Sequence, residues 1–245
     1  LTLNLTSKII SKPYILMTLK VMEQMGVQHQ WNSNTIVVKN QSYSIKNFTI
    51  ENDWSAASFW YSFVALSKTG KVSIPHLQES SLQGDAILHK IYNKLGVSTS
   101  FVNNGIVIEK THSSKQKLFE NLSDYPDIGL PIAATCAGLG IDCHLIGLES
   151  LKIKESDRLN AIKNELIKFN IKCKIDDSSI KINAQKALPS NDMICTHFDH
   201  RIAMSIAPLC LKVGKIKFDK KDVVNKSYPG FWEDLKRINI QYKVI

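Results

Sequence analysis

Residues 92–109 read YNKLGVSTSFVNNGIVIE, and this stretch decides the fold. It opens as the end of an amphipathic helix and passes through Gly96, where a helix C-terminus favours the left-handed conformation. Two strands follow, separated by an Asn-Asn-Gly turn, the second alternating apolar and polar residues. The same order recurs at 22–39 (MEQMGVQHQWNSNTIVVK) and 166–183 (LIKFNIKCKIDDSSIKIN), and LKRINIQYKVI at 235–245 begins it again. The helix-ending residues Gly26, Gly96, Asn170 and Asn239 are 70, 74 and 69 residues apart. That period is longer than those of solenoid repeats and suits a small α/β unit of several strands and two helices.

Between the hairpins lie apolar helical stretches: WSAASFWYSFVALS (54–67), IGLPIAATCAGL (128–139) and RIAMSIAPLCLK (201–212). A helix apolar around most of its circumference belongs inside a structure. The expected architecture is therefore inverted for an α/β protein, with helices inside and sheets outside. A boundary is expected near residue 50, where SIKNFTIENDWSAAS passes from a strand into a helix with Asp53 placed to cap it. Residues 1–50 then form the tail of one domain and 51–245 a second one.

The chain has 245 residues, 44% of them apolar, enough for a substantial core. No apolar run approaches the roughly 18 residues that a membrane-spanning helix needs, and the first ten residues lack a signal-peptide pattern. Five cysteines, an odd number without a CxxC pair, suit reduced thiols in a cytoplasmic protein better than a disulfide framework or a zinc site. The net charge of +9 is compatible with nucleic acid or with a small polyanionic substrate. The lysines are scattered and do not interleave with aromatics, so motifs must decide.

Charged groups gather where helices begin. SLKIKESDRLNAI (150–162) places Lys154, Glu155, Asp157 and Arg158 where a strand hands over to a helix, with Ser156 as the expected N-cap. Helix amides and two cations make an anion site, and a carboxylate among them can act as acid or base. Asp199, His200 and Arg201 precede the apolar helix at 201–212, and Asp127 opens the one at 128–139. Lys226 stands before a Tyr-Pro helix start, and Ser11 is a natural N-cap ahead of Pro13. Taken singly, each is what ordinary capping, helical charge pairing or a solvated lysine would produce. Their recurrence at successive helix starts suits a phosphorylated substrate.

In this order the motifs SKPYILMTL, DWSAASFW, SLQGD, YPDIGLPIAA, LKIKESDRL, FDHRIAMS and NKSYPGFWEDL resemble the enolpyruvyl transferases, in the branch that acts on shikimate 3-phosphate. The match runs from residue 11 almost to the end, and KESDR followed by DHR is its most specific part. The resemblance implies an inside-out α/β barrel of βαβαββ units and a reaction between shikimate 3-phosphate and phosphoenolpyruvate. It implies no metal and no organic cofactor, no nucleic-acid partner and no membrane.

By the same resemblance, Ser11, Asp127 and Lys154 match residues that hold shikimate 3-phosphate, with Asp127 also the candidate base. Glu155 matches the acid/base on the methylene carbon and His200 a histidine beside it, so the resemblance implies Asp127, Lys154, Glu155 and His200 as the catalytic residues. Arg158, Arg201 and Lys226 match the cations that bind phosphoenolpyruvate. Ser150 stands where some members have Asn, leaving its contact open. The family's N-terminal lysine and arginine, its NAG-type loop and its Ser-Ser-Gln clamp are not found in this sequence. The chain is expected to be a C-terminal portion, inactive alone. The rival readings are the sister branch acting on UDP-N-acetylglucosamine and a non-enzymatic basic binding module.

Overall fold

The repeat seen in the sequence is a topological repeat in the computed structural model, which describes residues 1–44, 47–112 and 117–242. The first copy comprises β1 (Thr2–Asn4), α1 (Lys12–Gln24), β2 (Gln30–Asn32) and β3 (Thr35–Val37), with strand order β1-β3-β2. The second comprises α2 (Trp54–Leu66), β4 (Lys71–Pro75), α3 (Leu88–Asn93), β5 (Val97–Val102) and β6 (Gly105–Lys110), with order β4-β6-β5. The third is a complete βαβαββ unit: β7 (Lys117–Asn121), α4 (Gly129–Leu139), β8 (Asp142–Ile146), α5 (Arg158–Ile167), β9 (Cys173–Ile175) and β10 (Ser179–Ile182). Its sheet runs β7-β8-β10-β9, with β7 parallel to β8 and the other pairs antiparallel. The fourth runs β11 (Met193–Ile194), α6 (His200–Ile206), α7 (Cys210–Val213), β12 (Lys217–Phe218) and α8 (Phe231–Arg237). Strands β11 and β12 pair in parallel, and in the tail that begins the pattern again, residues 243–245 lie outside the described residues.

Each copy turns at the residue the repeat singles out: φ is +85° at Gly26, +80° at Gly96, +61° at Asn170 and +62° at Asn239. Gly and Asn occupy the left-handed region at low cost, which releases the chain from the helix into the next strand.

The helices are inside, as expected. Nearly every residue of α2 is buried, as are Gly129–Ala137 of α4 and most of α6, and these helices pack on one another. Small side chains on α4 permit the close approach. A Cβ at Gly138 would lie 2.7 Å from Leu66 and 2.8 Å from Leu209. The sheets lie outside, strands such as β4 and β7 alternating covered and solvent-facing residues. Polar groups between the buried helices pair with one another: the Tyr92 hydroxyl lies 2.9 Å from that of Ser62 and 3.1 Å from that of Thr135.

Three local expectations are corrected. The helix expected over 201–212 is broken by a 3₁₀ turn at Ala207–Leu209, because Pro208 has no N–H to continue the ladder. Asp157, not Ser156, caps α5, its carboxylate accepting from Asn160 N–H at 3.1 Å. The Ser156 hydroxyl instead donates to Asp199 Oδ2 at 3.0 Å. Asp127 lies in a 3₁₀ turn ahead of α4 and makes no cap hydrogen bond there. Asp53 caps α2 as expected, accepting from Ser55 N–H at 2.8 Å.

Residues 38–44 and 47–53 form neither helix nor strand. Among the described residues, the contiguous hydrophobic core contains none before Trp54.

Candidate active site

The starts of α4, α5 and α6 converge at one end of the buried helices, where the sequence concentrated its charges. Arg158, the first residue of α5, is the hub, with its side chain only 2% exposed. Its Nε donates to Asp199 Oδ2 at 2.7 Å, and its NH1 to Asp127 Oδ1 at 3.0 Å. Its NH2 donates to Glu155 Oε2 at 2.5 Å and to Asp199 Oδ1 at 3.3 Å. A planar guanidinium with five donors can serve three carboxylates at once, which a lysine ammonium cannot do in a fixed fork.

The remaining cations close on the same acids. Lys226 Nζ lies 2.6 Å from Glu155 Oε1. Lys154 Nζ lies 3.6 Å from Asp127 Oδ1, and Arg201 NH2 lies 3.6 Å from Asp127 Oδ2. The Arg201 NH1 also donates to the Asp127 carbonyl at 3.3 Å. Four cations face three carboxylates, a cluster that keeps one positive charge in excess and suits an anionic ligand. Lys154, Glu155, Arg158, Arg201, Lys226 and Asp127 are thus brought together.

Glu155 shows how the cluster tunes its members. Burial disfavours its charge most strongly, but the hydrogen bond from Lys226, its own backbone N–H and the Arg158 charge outweigh burial and hold its pKa at about 2. His200 is buried, and burial followed by the Arg201 charge lowers its pKa, so the ring is neutral near pH 7. Its Nδ1 stands 3.9 Å from Asp199 Oδ1, and no hydrogen bond joins the two. Ser150 Oγ is likewise buried and without a hydrogen-bond partner.

Ser11 sits at the edge. It occupies the N-cap position of α1 with a left-handed φ of 53°, and its side chain makes no cap bond. Its N–H donates to the Ser123 carbonyl at 3.0 Å, which joins α1 to the turn leading to Asp127.

Three groups at the site carried no assignment in the sequence reading. Asp199 resembled a simple cap, and it does accept Arg201 N–H at 2.9 Å while also binding Arg158. Tyr14 donates to Asp85 at 3.1 Å, and Ser55 Oγ donates to the same carboxyl group. Asp85 is buried, and desolvation pushes its pKa up despite the Ser55 bond. The SLQGD motif signalled Asp85, and the spacing from Ser11 signalled Tyr14 one helical turn on.

Comparison with known proteins follows the same lines. The family model described as EPSP synthase (3-phosphoshikimate 1-carboxyvinyltransferase) matches residues 2–235. A curated 3-phosphoshikimate 1-carboxyvinyltransferase of Bacteroides fragilis (strain YCH46) is 39% identical over 250 residues, covering 100% of this chain and 60% of that protein. One of Clostridium perfringens (strain SM101 / Type A) is 34% identical, covering 96% of this chain and 55% of that protein. The chain therefore spans a little over half the length of these relatives. An EPSP synthase structure from Acinetobacter baumannii superposes with a TM-score of 0.75 at 21% identity, over 89% of this chain and 53% of that one. The enolpyruvyl transferase NikO from Streptomyces tendae gives a TM-score of 0.66 at 15% identity, over 98% of this chain and 55% of that one. These two likenesses concern the fold, and the family match extends it to the sequence: the chain belongs to the EPSP synthase family.

Proposed function

We propose that the chain supplies the larger part of the catalytic groups of a 3-phosphoshikimate 1-carboxyvinyltransferase. That enzyme moves the enolpyruvyl group of phosphoenolpyruvate to the 5-hydroxyl of shikimate 3-phosphate and releases phosphate. The observation that carries the reading is the Arg158-centred cluster, in which four cations and three carboxylates meet at helix starts. Phosphoenolpyruvate carries a carboxylate and a phosphate, and Arg158, Arg201 and Lys226 are the cations proposed to bind them. Ser11 and Lys154 hold shikimate 3-phosphate in this reading, and Asp127 orients the 5-hydroxyl and takes its proton.

Glu155 gives a proton to the methylene carbon as the 5-oxygen attacks C2, then removes one as the C2–O bond to phosphate breaks. An acid held at about 2 gives its proton too readily to keep it at neutral pH. In this reading the arriving anion draws Lys226 and Arg158 away from Glu155, and its pKa rises toward the working range. His200 stands beside Glu155 in this reading as a further catalytic group, buried and neutral near the arginines so that it adds no charge to the cluster.

We place residues 1–50 at the end of an N-terminal domain and 51–245 in the C-terminal enolpyruvyl transferase domain. The start of the contiguous core at Trp54 supports that division. The other wall of the site belongs to the N-terminal domain, and closure of the two excludes water and aligns the reactants. Cytoplasmic location is part of the same proposal; no helix among the described residues is long and apolar enough to cross a membrane. The mutual pairing of the cluster's charges argues against a basic nucleic-acid-binding face, which would present its cations free.

The test is phosphate release from the two substrates. The 245-residue chain alone should give no appreciable turnover, and adding a separately expressed N-terminal portion of the enzyme should restore it. A complemented, folded protein that releases no phosphate would overturn the assignment.

A further inference from the structure

Glu165 is a buried carboxylate, 1% exposed, that the proposed chemistry does not use. It lies on α5 seven residues after Arg158, about two turns along the same helix. Its Oε2 accepts from Lys168 Nζ at 2.6 Å and from Cys195 N–H at 3.0 Å, and its Oε1 lies 3.0 Å from His197 Nε2. Lys168 Nζ reaches on to the Met193 carbonyl at 2.8 Å. Every one of these links leads into one segment, 193–199, which runs from β11 to Asp199. Burying a carboxylate is costly unless it is paired and hydrogen-bonded, so the arrangement calls for a reason.

Outside α5 the segment is held by Thr196 N–H on Asp219 Oδ1 at 2.9 Å, by Asp219 N–H on the Ile194 carbonyl at 3.0 Å and by Lys220 over the Phe198 ring. Strand β11 has two residues and pairs with the equally short β12. His197 and Phe198 both adopt left-handed backbone, with φ of 52° and 56°, which non-glycine residues enter at a cost. Phe198 is 72% exposed, so burial of its ring does not offset that cost. Strained backbone of this kind persists where surrounding contacts over-determine it. The next residue is Asp199, fully buried, whose carboxylate receives Arg158 Nε–H and starts α6. Helix α5 thus grips the segment at two points: Glu165 holds Cys195 and His197, and Arg158 holds Asp199.

We propose that Glu165 is a positioning residue for the site. By fixing Cys195 and His197 it imposes the left-handed pair His197–Phe198, and so delivers Asp199 to Arg158 and Arg201 to its place at the start of α6. The functional importance of this rests on the transferase reading above, whereas the positional claim concerns the chain itself.

The chain has three arginines, so their Nε–H signals in a proton–nitrogen correlation spectrum are readily assigned. In the wild-type chain the Arg158 Nε–H, buried and bonded to a carboxylate, should be shifted and slow to exchange with water. Glu165→Ala should move it toward the free-arginine position and speed its exchange on the order of tenfold or more. Glu165→Gln keeps an acceptor for Cys195 N–H and should retain most of the wild-type signal. His197→Ala, at a half-buried position, should move the signal in the same direction and serves if Glu165→Ala does not fold. An unmoved Arg158 signal in whichever of Glu165→Ala and His197→Ala folds overturns the proposal.

In the catalytically complete protein, Glu165→Ala should raise KM for phosphoenolpyruvate on the order of tenfold, leaving that for shikimate 3-phosphate close to wild type. A loss of thermal stability with both KM values unchanged would assign Glu165 a purely structural role and overturn the proposal. If the complete wild-type protein releases no phosphate, the reaction assignment fails, and the Arg158 signal still decides the position of Glu165.

Discussion

Arg158 Nε and Asp199 Oδ2 stand 2.7 Å apart with side chains 2% and 0% exposed, a fully buried ion pair joining the starts of two helices. Removing Asp199 would leave the Arg158 Nε–H, the Ser156 hydroxyl and the Arg201 N–H without their shared acceptor at a buried point. Removing one member of a buried pair costs about 3–5 kcal/mol. Asp199→Ala should therefore destabilise the chain by that amount, and urea denaturation measures it. A loss below about 1 kcal/mol would mean that solvent reaches Arg158 freely.

Acid should weaken the fold through Glu155. Its folded pKa, about 2, lies below the ordinary 4.5, so the unfolded chain takes up its proton first as pH falls. The stabilisation is present in full above pH 4.5 and is lost progressively between 4.5 and about 2. Denaturation midpoints measured across that window should fall less steeply in Glu155→Gln than in wild type. Equal slopes would show that Glu155 is not held by its cations.

In the complete enzyme Glu155→Gln should cut kcat by roughly 10²–10⁴-fold, the usual worth of a general acid–base group. Ground-state binding should be largely spared, because glutamine keeps the shape and an acceptor oxygen for Lys226. Steady-state kinetics with near wild-type kcat would remove Glu155 from the proposed chemistry.

Arg201→Ala should weaken phosphoenolpyruvate binding, since losing a hydrogen bond to a charged group costs about 1.5–3 kcal/mol. Binding of shikimate 3-phosphate in the binary complex should be little changed. Calorimetric titration of each substrate separates the two, and equal losses would point to a general disturbance around Asp127, which Arg201 touches at 3.6 Å.

The sequence by itself determined the repeat, the four left-handed residues that end its helices, and the identity of the buried helices. It also placed Lys154, Glu155, Arg158, Arg201 and Lys226 at helix starts and turns. These are local properties: periodicity, backbone conformation and capping are settled within a few neighbouring residues. Even locally it misassigned the cap of α5, because the Ser156 hydroxyl is claimed by Asp199, which is 43 residues away.

Only the tertiary structure decided which charges meet. Arg158 finds Asp127 at a separation of 31 residues and Asp199 at 41, and Tyr14 finds Asp85 across 71. No spacing rule anticipates those encounters, because they depend on how the repeats stack. Asp127 and Asp199 could each have been a simple helix cap on a solvated surface. Packing of α4, α5 and α6 excluded water around Arg158, and burial turned ordinary capping residues into a coupled electrostatic cluster. The same packing gave Glu165, two turns further along α5, a buried place against the segment that carries Asp199.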